Sequence, residues 1–394
     1  MSVPFSTYLA NEIEGMAGPA LAGCRAIVII PARDEELILP RTLDSLRCQK
    51  DFNGNSLDHD SYEVLLLLNN CTDSSFAVAA KYQASYPTFR LLVGSVQFPV
   101  ERAFVGTARR MLMDTAYSRL TLRRHQDFAI CGILSTDADT AVSSNWIASN
   151  LSALESGADV VGGVIHLLPE DLETLSAVYP AVEGAYQQDQ TLQKMVAELE
   201  SILDPDSADP WPRHLQHFGA SLACTPEIYA RAGGLPPARA LEDVAFVDAL
   251  RKVGARIRHC PRTHVFTSAR MDGRAEVGLS GQFRLWKEES DRQLPQVVDS
   301  AAWMRHRFSS MGELRRLHSV GVSSSFDAYP EPWRSRLIEL LDDQLPVSQF
   351  LEKLNCDGLI EQMFISLGQP RRGEIRDVID EVGQVLKQLK STEN

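Results

Sequence analysis

No apolar run in the 394 residues approaches the roughly 20 that a membrane-crossing helix needs, so a transmembrane segment is not expected. Positive charge is also short: 39 Lys and Arg face 52 Asp and Glu, giving a formal net charge of −13. Such a field repels nucleic acid and anionic lipid, so neither is the expected partner. The seven cysteines (Cys24, Cys48, Cys71, Cys131, Cys224, Cys260, Cys356) contain no CxxC pair and no metal-ligand spacing. That argues against a disulfide framework and suits reduced thiols in a cytoplasmic protein. Leu21-Ala22-Gly23-Cys24 imitates a lipoprotein cleavage site, but Asn11, Glu12 and Glu14 interrupt the apolar stretch that a signal peptide requires. Internal repeats and low-complexity tracts are lacking too.

Alternating apolar runs and helical spacings are what the chain does have. Ala26-Ile27-Val28-Ile29-Ile30, ended by Pro31, is a β-branched run suited to a strand buried on both faces of a parallel sheet. Leu37, Leu39, Leu43 and Leu46 then recur at helical spacing, and Val64 to Leu68 supplies a second strand, completing a βαβ unit. Further helices are predicted over 74–86, 106–120 and 146–156, and further strands over 90–93, 128–134 and 159–167. The pattern predicts an α/β protein with a mostly parallel, doubly wound sheet, which binds ligands at the carboxyl ends of its strands. Residues 170–203 read as polar helix, and the Asp- and Pro-rich stretch 204–212 breaks it. After Ala269 strand signals fade. The expected domains are a leader over 1–24, a catalytic domain over 25–277 with a helical insertion over 170–212 at the sheet's active edge, and a mainly helical extension over 278–394.

The sharpest local signal is Asp137-Ala138-Asp139 directly after an apolar strand. Two carboxylates one residue apart repel each other unless a cation or donor groups compensate. Mg²⁺ or Mn²⁺ meets that need and leaves positions open for phosphate oxygens. The competing reading is that either aspartate caps the helix beginning near Asn145.

Taken in order, Val28-Ile29-Ile30-Pro31-Ala32-Arg33-Asp34-Glu35-Glu36, Asn69-Asn70-Cys71-Thr72-Asp73, Gly106-Thr107-Ala108-Arg109-Arg110, the DAD triplet, Gly233-Gly234-Leu235-Pro236 and Glu242-Asp243 resemble the successive motifs of family 2 glycosyltransferases, over about residues 25–275. The resemblance implies a GT-A fold, a nucleotide-diphosphate sugar as donor, and a divalent metal. It implies that Pro31, Ala32, Arg33 and Glu35 occupy the loop after the first strand and cradle the nucleotide. Asn69 stands where the family usually has an acid that pairs with the base, which unsettles a uridine preference, although an amide can still read a base edge. Arg109 would hold Asp137 or a phosphate, Asp137 would face the ribose, and Asp139 would hold the metal. Asp243 resembles the general base of inverting members, with Glu242 beside it, although both also suit the first turn of a helix. His264, expected after the last core strand, resembles a metal ligand of glucosyl- and mannosyl-glycerate enzymes. Arg270 and Arg274 would face the diphosphate.

Sugar transfer to an acceptor hydroxyl, inverting through Asp243, is therefore the expected activity, with retention as the alternative stereochemistry. A nucleotidyltransferase would want glycine in the loop after the first strand, and Pro31 to Glu36 contains none. A catalytically silent nucleotide-sugar-binding module is the remaining alternative. Neither the acceptor nor the oligomeric state is encoded in a readable motif.

Overall fold

The apolar run at Ala26 forms β1 (Ala26–Ala32), in which every residue is buried. The computed structural model describes residue 13 and residues 15–123, 130–236, 238–271, 278–320, 331, 333–343, 345–366 and 371–392. Contacts divide the chain into two units, one of residues 1–174, 216–250 and 256–282, the other of residues 175–215, 251–255 and 283–394.

The first unit has a mostly parallel sheet flanked by helices. Its strands are β1, β2 (Tyr62–Asn69), β3 (Leu91–Val96), β4 (Gly132–Ser135), β5 (Thr140–Val142), β6 (Val160–Leu167), β7 (Leu222–Cys224) and β8 (Ile257–Thr267). Among the described residues they run in the order β3-β2-β1-β4-β7-β6-β8-β5. β3, β2, β1 and β4 are mutually parallel, as are β6 and β8, whereas β7 is antiparallel to both β4 and β6, and β5 is antiparallel to β8. Its helices are α1 (Leu39–Arg47), α2 (Ser75–Ser85), α3 (Val105–Thr121), α4 (Trp146–Glu155), most of α5 (Pro169–Val178), α7 (Pro226–Arg231) and most of α8 (Glu242–Lys252), while α6 (Pro180–Leu203) belongs to the second unit. Val28, Leu66, Leu134, Trp146, Val161 and Val265 belong to one apolar cluster of this unit, and α3 packs against β1 and β2.

Two expectations need correction. Proline does not end β1: Pro31 and Ala32 are its last two residues, in register with Leu67 and Leu68. β4 pairs only with Ala26–Ile29, so at Pro31 one side of β1 has no ladder for a missing N–H to interrupt. The described part of the expected leader is also built into the sheet unit. Met16 and Cys24 are fully buried, and Arg119 donates to the carbonyls of Met16, Ala17 and Gly18 at 2.8, 3.2 and 3.3 Å.

In the second unit, α6 packs with α10 (Ala301–Val320) and α14 (Ile375–Thr392). Leu192 and Leu199 of α6 join Phe308, Val378, Val382 and Leu386 in one apolar cluster. The apolar stripe of the predicted insertion is thus covered by C-terminal helices. Between α10 and α14, after α9 (Leu279–Asp291), lie α11 (Trp333–Asp342), α12 (Val347–Cys356) and α13 (Leu359–Ser366), packed around Leu337, Phe350 and Leu354. Val297–Asp299 pairs antiparallel with Arg372–Glu374. Among the described residues no helix is long and apolar enough to cross a membrane.

Arg119 on α3 forms an ion pair with Glu63 of β2 at 2.8 Å, with 7% and 3% of the two side chains exposed. Removing one partner strands a buried charge, so Glu63→Ala is expected to lower the unfolding free energy by about 3–5 kcal/mol. Urea titration followed by tryptophan fluorescence measures this, and a loss below about 1 kcal/mol would mean the pair is dispensable.

Candidate active site

The parallel strands deliver their carboxyl ends to one edge, and the acidic triplet lies there. β4 stops at Ser135 and β5 begins at Thr140, so Asp137-Ala138-Asp139 forms the link between them. Ala138 is buried in the core, and its carbonyl accepts from the Thr42 hydroxyl of α1 at 2.8 Å. Ala138 therefore pins the link while the aspartates on either side remain half-buried.

Beneath the link sits Arg109 of α3, a guanidinium only 4% exposed. Its Nη2 donates to Asp137 Oδ1 at 2.9 Å, its Nε to Glu242 Oε1 at 3.1 Å, and its Nη1 to Ser135 Oγ at 2.6 Å and to the Gly219 carbonyl at 2.8 Å. With each nitrogen engaged inside the protein, Arg109 organises acids and does not reach for a phosphate. Burial within the pocket pushes the carboxyls of Asp137 and Glu242 above their ordinary values, against the pull of Arg109. Burial likewise opposes the charge on Arg109, but Asp137, Glu242 and Asp243 outweigh it and hold the guanidinium firmly protonated.

Glu242 and Asp243 open α8, where the helix dipole favours acids. Glu242 is buried, so it acts by positioning Arg109. Asp243 is half-buried. Its Oδ2 accepts from the Gly219 N–H at 2.8 Å and its Oδ1 from the Val244 N–H at 2.8 Å, which fixes the carboxylate in one orientation. Two glycines permit this closeness. A Cβ on Gly219 would lie 2.5 Å from Arg109 Nη1, and one on Gly106 would lie 2.4 Å from the Ala238 carbonyl.

A second group forms at the rim. Arg270, three residues beyond β8, donates from Nη1 and Nη2 to both carboxylate oxygens of Glu35 at 3.0 and 2.9 Å, and from Nη2 to Asp139 Oδ2 at 2.5 Å. Arg33 is exposed, and its Nη1 donates to the Ala103 carbonyl at 3.2 Å. Asn69, the last residue of β2, is 3% exposed, and its Oδ1 is buried with no hydrogen-bond partner among the described residues. Such an orphan costs about 1–3 kcal/mol, which a ligand edge carrying an N–H would relieve. Arg274 lies outside the described residues.

His264 differs from its expected place. It lies within β8, not after it, in register with Val164 of β6. The Ser143 N–H donates to its carbonyl, whereas Thr140, the neighbour of Asp139, pairs with Thr267 at the strand's end. Its Nδ1 is 3.0 Å from Nε2 of His166, and burial lowers both imidazoles from their ordinary values. Among the described residues, the His, Cys, Asp and Glu side chains that converge tightly enough in a group to hold a metal are Asp34, Cys71 and Asp73, without Asp139 or His264. That group is a clasp between loops. Asp34 Oδ1 accepts from the Thr72 and Asp73 N–H groups at 2.6 and 3.3 Å, and Asp73 Oδ2 accepts from the Glu36 N–H at 3.1 Å. Asp34 and Asn70 both have positive φ, at 50° and 51°. Asn70 exchanges two 2.9 Å hydrogen bonds with the backbone of Phe98. The sequence reads residues 69–73 as a turn and helix cap, and Asp73 Oδ1 does accept from the Ser75 N–H at 2.9 Å; the partners Asp34 and Phe98 left no signal beyond Asn and Asp in loops, types that tolerate the left-handed region.

Residues 27–174 match the family model described as Glycosyl transferase family 2. A search of curated proteins finds no match. Among solved structures, the chain is similar to a mannosyltransferase from Pyrobaculum calidifontis in complex with GDP-Man and Mn²⁺, at 14% identity and a TM-score of 0.43, over 86% of this chain and 85% of that one. It is similar to S. aureus TarS 1-349 at 13% identity and a TM-score of 0.39, over 88% and 93% of the two chains. It is also similar to glucosyl-3-phosphoglycerate synthase from Mycobacterium tuberculosis, in complex with phosphoglyceric acid, at 16% identity and a TM-score of 0.38, over 70% and 83%.

The contact between Gly219 and Arg109 predicts a clear pair of outcomes. Gly219→Ala forces the guanidinium aside and is expected to cost about 1–3 kcal/mol, as overpacking does. Gly184→Ala in α6, where an added Cβ meets nothing within 4 Å, is expected to be neutral or stabilising by up to about 1 kcal/mol. Thermal and urea unfolding of the two variants checks the contrast.

Proposed function

We propose that the chain, whose residues 27–174 match the glycosyl transferase family 2 model, is a glycosyltransferase that moves a sugar from a nucleoside-diphosphate donor to an acceptor hydroxyl, with a divalent cation at Asp139 and Asp243 as general base. The observation that carries the reading is the buried Arg109, which joins Asp137 of the triplet to Glu242 beside Asp243. A donor-side acid and an acceptor-side acid are thereby held in one rigid frame, which is what direct displacement at an anomeric carbon requires.

Charge supports the cation. Among the described residues, Asp137, Asp139, Glu35, Glu242 and Asp243 face two guanidiniums, Arg109 and Arg270, so at full ionisation these groups together are acidic. A diphosphate entering this surplus would be repelled unless positive charge came with it. Asp139 offers a half-buried hard-oxygen donor at a strand tip and already holds a positive group, so the residues present fit Mg²⁺ or Mn²⁺. When bound, the ion supplies Lewis-acid neutralisation of the departing diphosphate. His264, already engaged by His166, is not needed in the proposed ligand set.

The protein's own side chains supply the remainder. Asn69, with its orphaned oxygen, is proposed to read the base edge, and Arg33 and the end of β1 to flank the nucleoside. Arg270 neutralises charge as it grows on the leaving phosphate. The acceptor oxygen bonds to the anomeric carbon while the bond from that carbon to the diphosphate oxygen breaks, and the hydroxyl proton passes to the Asp243 carboxylate. Asp243 is favoured over Glu242 because it alone of the pair is accessible. A single displacement of this kind inverts the anomeric centre.

Titration calorimetry with UDP and GDP, with and without Mn²⁺, is expected to give metal-dependent binding that Asp139→Ala abolishes. Asp243→Asn is expected to retain nucleotide binding and to lower transfer to the acceptor by about 10²–10⁴-fold, the usual weight of a general base. Metal-independent binding that survives Asp139→Ala would overturn the assignment of Asp139, and full transfer activity in Asp243→Asn would overturn that of the base.

A further inference from the structure

Arg270 holds an acid that the proposed chemistry needs for something else. Asp139 Oδ2 is taken by the guanidinium at 2.5 Å, while Oδ1 has a long contact of 3.4 Å from the Thr140 hydroxyl. The same guanidinium is anchored by its two-pronged pair with Glu35, whose carboxylate is 8% exposed and has Arg270 as its ion-pair partner. Arg270 is thus held in place on the carboxylate that a divalent ion would use, with its charge against Oδ2. A guanidinium and a divalent ion at one carboxylate repel each other, so occupancy by one disfavours the other.

We propose that Arg270 and the divalent ion are alternative occupants of Asp139, so that the protein without nucleotide is held in a state of low affinity for the ion. The proposal rests on the reading of Asp139 as the metal-holding acid. A donor diphosphate relieves the competition because its anionic oxygens offer the guanidinium charge-assisted acceptors in place of the single Asp139 oxygen it gives up. By reciprocity, the ion then favours the nucleotide as much as the nucleotide favours the ion. Glu35 acts as the anchor on which Arg270 moves between the two partners, making both Glu35 and Arg270 positioning residues for the ion.

The test uses Mn²⁺ alone, with the full chain and no nucleotide, reading the free ion by electron paramagnetic resonance. Arg270→Met removes the competitor and is expected to bind Mn²⁺ about tenfold more tightly than the unaltered protein, within the usual range of site coupling. Arg270→Lys keeps the charge but loses the fork, and is expected to fall between them; it serves as the comparison should the methionine variant melt early. Asp139→Asn is expected to abolish binding in both backgrounds. If Arg270→Met and Arg270→Lys bind Mn²⁺ no more tightly than the unaltered protein while Asp139→Asn removes binding, the exchange is refuted and the metal assignment survives. If Asp139→Asn binds Mn²⁺ like the unaltered protein, the assignment falls and takes the exchange with it.

Discussion

A single buried guanidinium, that of Arg109, is the constraint on which the site is built. Taking a full charge out of water is tolerable only where opposite charge and hydrogen-bond acceptors meet it on every side. Here the acceptors come from three parts of the chain distant in sequence: Ser135 at the end of β4 with Asp137 in the link just after it, Gly219 before β7, and Glu242 at the start of α8. None of these carboxylates would be comfortable in so little water without the arginine, and the arginine could not be buried without them. Precision at Asp243 follows from this. Its carboxylate is fixed by the N–H of Gly219, whose own carbonyl is fixed by Arg109.

The electrostatics at the rim follow a different logic. There the guanidinium is the accessible partner: the Arg270 side chain is 35% exposed, against 5% for Arg109, and it bridges Glu35 and Asp139, whose side chains are 8% and 21% exposed. Accessible ion pairs are weak and exchange partners readily, whereas buried ones are costly to break. The site therefore has an inner layer built for position and an outer layer able to trade one cation for another.

Much of this was legible in the sequence because it rests on local patterns. The β-branched run at Ala26 and the leucine run at Val64 gave neighbouring parallel strands, and carboxylates at a strand end and at a helix start marked Asp137, Asp139, Glu242 and Asp243. What escaped was decided by partners far along the chain. β7 is three residues long, too short for any periodicity, and it runs antiparallel because β4 and β6 each present it an edge. Pro31 stays within β1 because β4 is short. His264 falls inside β8 because that strand continues to Thr267 to pair with Thr140. Glu242 and Asp243 look alike in sequence, and only burial separates the one that positions from the one that faces solvent.

The helical unit is assembled from three stretches of chain, residues 175–215, 251–255 and 283–394, with β7, α7, most of α8 and β8 lying between them. α6 has Leu192 and Leu199 directed at residues of α10 and α14, and α14 runs to Thr392. On a ribosome, α14 is made long after α6, and until then Leu192 and Leu199 lack that part of their cover and are open to chaperones or to wrong partners. A chain cut short before Ile375 would leave α6 without it.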